Sequence, residues 1–120
     1  MRCVLSKIPT MSAAPVPDLA PAAVADRLRG TEPPLLLDVR EPWEHEIARV
    51  EGARLVPLAT LPGALDTLDR SREIVVLCHH GVRSLMAAEF LQRHGFARVA
   101  NLRGGIDAWS DDVDPTVPRY

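Results

Sequence analysis

The stretch that decides the fold is Glu73-Ile74-Val75-Val76-Leu77-Cys78-His79-His80-Gly81-Val82-Arg83-Ser84. Its first five residues form the short, mainly apolar run that is typical of a strand buried inside a parallel sheet. The run that follows, at about residues 82–94, has helical character and stops at Gly95, a residue type that often ends helices. The sequence therefore predicts a loop, residues 78–84, that begins with a cysteine and joins a strand to a helix.

The position of this Cys78 loop favours a reactive thiol. The free backbone N–H groups at the start of a helix, together with the positive end of its dipole, attract negative charge. Arg83, His79 and His80 add positive charge nearby, and such a field favours the thiolate, the nucleophilic form of cysteine. Gly81 allows the loop to curl tightly. Position alone leaves open the alternative that Cys78 is a small buried apolar residue.

The rest of the chain alternates short apolar runs with helical ones. Strands are predicted at residues 35–39, 54–57, 73–77 and 98–102, and helices at residues 21–29, 42–47, 61–68, 82–94 and 106–109. Pro21 and Gly30 suit the start and the stop of the first helix, and Thr60 is expected to cap the third. The alternation predicts an α/β fold, in which a central parallel sheet carries helices on both faces.

Three polar or reactive residues fall where predicted strands end. Asp38, Cys78 and Arg103 each follow or close an apolar run. In open parallel sheets, ligands bind beyond the carboxyl ends of the strands. We therefore expect these residues to lie on one rim of the sheet.

Composition bounds the class of protein. A chain of 120 residues is large enough for one domain with its own core. The net charge of -2 gives no reason to expect nucleic acid or an anionic membrane as a partner, and no apolar run approaches the roughly 20 residues that span a bilayer. Cys3 and Cys78 do not make a disulfide framework, which favours a reducing compartment such as the cytoplasm. Residues 1–17, rich in proline and alanine, are predicted to be a disordered leader, and residues 18–120 the domain.

Four blocks of the sequence resemble the rhodanese-like (sulfurtransferase) domain in its small single-domain form. They are Leu36-Leu37-Asp38-Val39-Arg40-Glu41-Pro42-Trp43-Glu44, Gly52-Ala53 with Val56-Pro57-Leu58, the Cys78 loop, and Leu102-Arg103-Gly104-Gly105-Ile106-Asp107-Ala108-Trp109. The blocks occur in the family's order, and the resemblance covers residues 18–120. It implies the rhodanese-like fold, a sulfurtransferase activity and no cofactor.

The resemblance also implies a role for each residue of the loop. Cys78 is the expected nucleophile, which takes the outer sulfur of an anion such as thiosulfate as a persulfide and passes it to cyanide, a thiol or a protein. Asp38 and Arg40 are expected to brace the loop from behind. Donor and persulfide are expected to be bound by the remaining loop residues, His79, His80, Gly81, Val82, Arg83 and Ser84, through side chains and fixed backbone N–H groups.

The residues that follow the last block extend the resemblance. Residues 109–120 are similar to the ending of rhodanese domains in molybdopterin-synthase sulfurylase-type proteins, where the domain is fused to an adenylating enzyme. This similarity adds a protein sulfur donor or acceptor to the candidate partners. Trp43 and Trp109 are interpreted as packing residues of the core or the rim.

Two other classes of function remain open. Cysteine phosphatases and arsenate reductases have a related loop, but five residues separate its cysteine from its arginine, whereas four separate Cys78 from Arg83. A non-catalytic module that keeps the fold for binding or for carrying sulfur often lacks the cysteine, which is retained here. A metal site is not expected, because adjacent side chains such as His79 and His80 rarely converge on one ion.

Overall fold

A computed structural model describes residues 14–120, and its centre is a five-stranded parallel sheet. The strands are β1 (Asp18–Leu19), β2 (Leu35–Asp38), β3 (Arg54–Leu55), β4 (Ile74–Leu77) and β5 (Val99–Leu102), and they lie in the order β1-β5-β4-β2-β3. The helices are α1 (Pro21–Leu28), α2 (Pro42–Ile47), α3 (Leu61–Ala64), α4 (Val82–Arg93) and α5 (Gly105–Asp112). Two 3-10 turns, Leu58–Thr60 and Leu65–Thr67, flank α3.

Both faces of the sheet are covered, because the side chains of each strand alternate between them. On one face, Leu37 and Val76 pack with α3 and α4. On the other face, Leu36, Val75 and Leu77 pack with α1 and α5. The predicted α/β fold, with a parallel sheet between two helical layers, is confirmed.

The register of the sheet brings the predicted site residues to one edge. Asp38 at the end of β2 pairs with Leu77 at the end of β4, and Val76 pairs with Asn101 of β5. Since all these strands are parallel, the residues that follow them emerge on the same side. Cys78 is therefore placed between the ends of β2 and β5.

The predicted helix after Thr60 is broken into short pieces. Thr60 lies at the N-cap position of α3, but its side chain makes no capping hydrogen bond: its backbone is already helical (φ -98°, ψ -5°), and its hydroxyl donates to the carbonyl of Pro57 at 2.8 Å instead. Gly63, which lowers helix propensity, lies inside the segment. Leu61 and Leu68 are nevertheless buried as their spacing predicted.

The ends of the domain differ from expectation. Of the predicted leader, residues 1–13 lie outside the described residues. Ala14 and the residues after it pack on the domain: Val16 belongs to the core, and the Pro17 carbonyl accepts a hydrogen bond from the Asn101 N–H at 2.8 Å. Ordered contacts therefore begin before residue 18. At the other end, α5 runs to Asp112 rather than to residue 109.

The described helices are short compared with the thickness of a bilayer. Within residues 14–120, none is long and apolar enough to cross a membrane.

Candidate active site

Cys78 lies at the floor of its loop, at the carboxyl end of β4. Its side chain is buried, and the residue is 1% exposed. The backbone N–H groups of Gly81 and Ser84 point at its Sγ, at 3.1 and 3.3 Å. It is a free thiol. Two fixed donors and the start of the twelve-residue helix α4 therefore converge on the sulfur, an arrangement that stabilises negative charge there.

The curl of the loop depends on Gly81. This residue adopts φ +104°, a left-handed conformation that other residues rarely take, and it precedes the first residue of α4. A Cβ atom there would also lie 3.3 Å from the backbone nitrogen of Gly104. The glycine thus lets the chain reverse so that its own N–H faces the thiol.

The start of α5 supports the loop from outside. The N–H of Ile106 donates to the Cys78 carbonyl at 2.8 Å, and that of Asp107 to the His79 carbonyl at 3.1 Å. Gly105 makes this approach feasible, because a Cβ atom at that position would lie 2.5 Å or less from these two carbonyl oxygens. α5 thus binds the first two carbonyls of the loop, while N–H groups of the loop point at the sulfur.

Ser84 is fully buried and serves the site through its backbone. Its hydroxyl donates to the side-chain carbonyl of Asn101 rather than to Cys78. The Asn101 amide in turn donates to the Gly81 carbonyl at 3.2 Å and to the Asp18 carboxylate at 3.0 Å. This buried network ties the loop to β1 and β5, and it leaves the Ser84 N–H as the group that reaches the thiol.

Arg83 is engaged by a carboxylate. Its guanidinium donates two hydrogen bonds to Glu44 of α2, at 2.7 and 2.9 Å, in the fork geometry that suits arginine. The Glu44 side chain is 4% exposed and that of Arg83 36%. Hydrogen bonds from Arg83 hold the pKa of Glu44 at about 2, although burial alone would raise it.

Asp38 and Arg40 form a fully buried ion pair behind the loop. Arg40 donates to both Asp38 carboxylate oxygens, at 2.9 and 2.7 Å, and to the carbonyls of Ala48 and Glu44 at 2.6 and 3.3 Å. The pair therefore fixes the middle and the carboxyl end of α2 to the end of β2. It acts on the site by placing Glu44, the partner of Arg83.

The two loop histidines have different surroundings. His79 is half-buried and its ring stacks on the ring of Tyr120, with centroids 3.9 Å apart and planes at 8°. His80 is exposed and stacks on the outer side of His79, also at 3.9 Å. Burial, and then the neighbouring His80, lower the pKa of His79 below its usual value. The lowered pKa favours the neutral imidazole of His79, whose ring lies along one side of the loop. Val82, 70% exposed, lies at the surface.

One group of possible metal ligands exists among the described residues. The ligand atoms of His79, His80 and Asp107 lie within 4.8 Å of one another. The two rings are stacked, so their in-plane lone pairs point along nearly parallel planes and do not meet at one ion. The Asp107 carboxylate accepts two hydrogen bonds from Arg119, at 3.0 and 3.1 Å. The arrangement is a poor fit to the convergent nitrogen and oxygen ligands of a protein-bound metal.

Three residues that contact the site are not predicted as site residues from the sequence. Glu44 lies inside a recognised block without an assigned role, and Asn101 is a polar residue within a buried strand. Tyr120 lies eighteen positions beyond β5, in the segment after the last recognised block. The Asn101 side chain could have been recognised from the sequence, because a polar residue in an otherwise apolar strand needs a buried hydrogen-bond partner.

Trp109 is buried as predicted, and Trp43, 58% exposed, lies edge-on to Tyr120 at the rim.

The chain matches proteins of one family. The model of the Rhodanese-like domain matches residues 20–112. A protein named Sulfurtransferase from Allochromatium vinosum is 36% identical over 95 residues, which cover 79% of this chain and 89% of that protein. The Rhodanese-like/PpiC domain-containing protein 12, chloroplastic, from Arabidopsis thaliana is 43% identical over 89 residues. That match covers 71% of this chain and 30% of the plant protein, so this chain spans less than a third of its length.

The fold leads to the same family. The crystal structure of a rhodanese-related protein from Thermoplasma volcanium superposes with a TM-score of 0.76 at 28% identity, covering 87% of this chain and 99% of the other. The family match spans β2, the Cys78 loop and α5, the elements that build the site. The chain belongs to the rhodanese-like sulfurtransferase family.

Proposed function

We propose that this protein moves a sulfane sulfur from a small anion such as thiosulfate to a thiophilic acceptor, through a persulfide on Cys78. The observation that carries the proposal is the pair of backbone N–H groups, from Gly81 and Ser84, aimed at a free thiol at the start of α4. These donors are fixed before the reaction, so they cost no reorganisation when charge develops on sulfur.

In the first half-reaction the Cys78 thiolate attacks the outer sulfur of thiosulfate. A sulfur–sulfur bond forms to Sγ, the bond inside thiosulfate breaks, and its electron pair leaves with sulfite. The product is a persulfide anion one sulfur longer than the thiolate. Because Cys78 is 1% exposed, the outer sulfur has to enter the curl of the loop to reach Sγ.

In the second half-reaction an acceptor attacks the terminal sulfur of the persulfide. Cyanide, a small thiol or a protein thiol forms a bond to that sulfur, and the electron pair of the broken bond returns to Sγ as thiolate. The redox state of the protein is unchanged over the cycle, so the chemistry needs no cofactor. A reducing compartment such as the cytoplasm suits an enzyme that has to regenerate a free thiol.

The test is steady-state kinetics with thiosulfate and cyanide as the variable substrates. A persulfide intermediate predicts ping-pong behaviour, with parallel double-reciprocal lines. Intersecting lines would mean that both substrates bind before any sulfur moves, and would overturn the proposal. Hydrolysis of a generic aryl phosphate by the same preparation, lost in Cys78→Ser, would favour the phosphatase class instead. The four-residue spacing to Arg83 argues against that outcome.

A further inference from the structure

Tyr120 is joined to the site although it lies outside the segment, residues 20–112, that matches the family. Val117, three residues earlier, packs in the core, and its carbonyl accepts a hydrogen bond from Ser110 of α5 at 2.6 Å. These contacts bring the segment after α5 back across the sheet edge. Its aromatic residue is thereby delivered to the Cys78 loop.

The hydroxyl of Tyr120 links two ion pairs. It accepts a hydrogen bond from Arg40 at 2.8 Å and donates one to Glu44 at 2.7 Å. The Arg40 guanidinium belongs to the buried pair with Asp38, and the Glu44 carboxylate belongs to the pair with Arg83. Burial raises the pKa of Tyr120 to about 12, so the hydroxyl keeps its proton at working pH and can donate to Glu44.

The hydroxyl completes the set of donors around Glu44. One carboxylate oxygen accepts from Arg83 and from the Glu41 N–H, and the other accepts from Arg83 and from Tyr120. Arg83 balances the negative charge of Glu44, and the other two donors shield that charge and hold the Arg83 fork in one orientation. Without the hydroxyl, the second oxygen keeps one donor, and more of its charge faces anions that approach the loop.

The ring of Tyr120 acts on the opposite side. It lies against the ring of His79 at 3.9 Å, nearly parallel, and so holds that ring in place beside Cys78. The ring and the hydroxyl thus touch both flanks of the loop, His79 on one side and the Glu44–Arg83 pair on the other.

We propose that Tyr120 is a positioning residue of the active site, which shields the charge of Glu44 and orients Arg83 so that an anionic sulfur donor can approach Cys78. The proposal rests on the sulfurtransferase function for the identity of that donor. It assigns the segment after α5 to the site and gives that segment a role in persulfide formation from the anionic donor.

The test compares Tyr120→Phe, which keeps the ring and removes the hydroxyl, with Thr116→Val. Thr116 lies in the same segment, and its hydroxyl donates to Asp114 and not to the site. Two readouts are measured: the single-turnover rate of persulfide formation from thiosulfate, and the rate of Cys78 alkylation by iodoacetate divided by that by iodoacetamide. The two reagents are similar in size, and the first is an anion and the second neutral. The alkylation ratio requires no sulfur transfer.

Tyr120→Phe is expected to lower both the rate of persulfide formation and the alkylation ratio about five-fold, the scale of one typical hydrogen bond. Thr116→Val should leave both unchanged. In a Glu44→Gln background, Tyr120→Phe should lose its effect on the ratio, because the hydroxyl then has no charge to shield. Circular dichroism and thermal unfolding confirm that each variant is folded.

An unchanged alkylation ratio in folded Tyr120→Phe overturns the proposal, even if the variant unfolds at a lower temperature. An equal effect with and without Glu44 also overturns it, since the hydroxyl would then act by another route. Absence of persulfide in the wild-type protein would overturn the sulfurtransferase function alone. The alkylation ratio would still decide the role of Tyr120 toward anions.

Discussion

Glu44 of α2 and Arg83 of α4 are joined by two hydrogen bonds of 2.7 and 2.9 Å, which tie α2 to the first turn of the helix that follows the Cys78 loop. From the sequence, Arg83 is expected to bind the sulfur donor. In the structure its fork is occupied by a carboxylate, so the pair as a whole carries no net charge. A donor anion therefore depends first on the backbone N–H groups of the loop and on the remaining exposed edge of Arg83.

The first prediction concerns Arg83→Ala. Loss of the guanidinium should lower kcat/KM for thiosulfate. The decrease should correspond to a loss of about 1.5–3 kcal/mol of transition-state stabilisation, the scale of a hydrogen bond to a charged group. It should also destabilise the fold by about 1–2 kcal/mol, because Glu44 keeps a nearly buried charge without its main partner; the exposure of Arg83 limits the loss. Kinetics and urea unfolding measure the two effects. The double variant Arg83→Ala with Glu44→Gln should regain stability, and only the part of the activity that the unpaired Glu44 charge had removed. An unchanged kcat/KM would leave Arg83 a structural role only.

The second prediction is a pH dependence of stability that is specific to Glu44. The folded pKa of Glu44 is about 2, below the ordinary value of 4.5, so its ion pair stabilises the folded state fully above pH 4.5. The contribution, at most about 3 kcal/mol, is lost as the pH falls from about 4.5 to 2. Urea unfolding across this range should show a larger loss for the wild type than for Glu44→Gln. Parallel pH profiles of the two proteins would contradict the assignment.

The third prediction concerns the contact between α5 and the loop. Gly105→Ala should cost more than about 2 kcal/mol, because the new methyl group meets the Cys78 and His79 carbonyls at 2.5 Å or less and φ is +66°. The displaced loop should also transfer sulfur more slowly. Gly52→Ala is the matched control: φ is +85° there, but nothing lies within 4 Å, so only a backbone strain of about 1–2 kcal/mol is expected. Equal effects at the two positions would mean that the carbonyl contacts do not matter.

The fourth prediction concerns the buried pair behind the loop. Asp38→Asn should destabilise the protein by about 3–5 kcal/mol, because it leaves Arg40 as an uncompensated buried charge. Asp26→Asn removes the partner of Arg29 in an exposed pair and should cost under about 1 kcal/mol. Thermal unfolding of the two variants makes the comparison. A small effect of Asp38→Asn would show that Arg40 is satisfied by its carbonyl and tyrosine partners alone.

Much of the fold could be predicted from local signals. The apolar runs of β2, β4 and β5 and the start and stop residues of α1 and α4 each carry their own pattern. The two-residue strand β1 carries none, because it is defined by its pairing with β5 rather than by its own composition. The prediction of a continuous helix after Thr60 was wrong for a similar reason. The path of this segment is fixed by the burial of Leu61 and Leu68, and short helical pieces bury both side chains as well as a continuous helix would.

The candidate site could be predicted where its residues are adjacent in sequence. Cys78, Gly81 and Ser84 lie on one loop, so their convergence follows from the turn itself. Arg83 and its partner Glu44 are 39 positions apart in the sequence, and Tyr120 and its partner His79 are 41 positions apart. Long-range contacts of this kind depend on how helices pack across the sheet edge, which periodicity does not encode.

The most direct test of the central claim is the intact mass of the protein after incubation with thiosulfate, in wild type and in Cys78→Ser. The substitution is nearly isosteric and should leave the fold unchanged while removing the nucleophile. A persulfide on Cys78 predicts a gain of one sulfur atom in the wild type, which cyanide reverses and which the variant lacks. The same gain in Cys78→Ser, or thiosulfate-dependent turnover by that variant, would remove Cys78 from the mechanism and contradict the account.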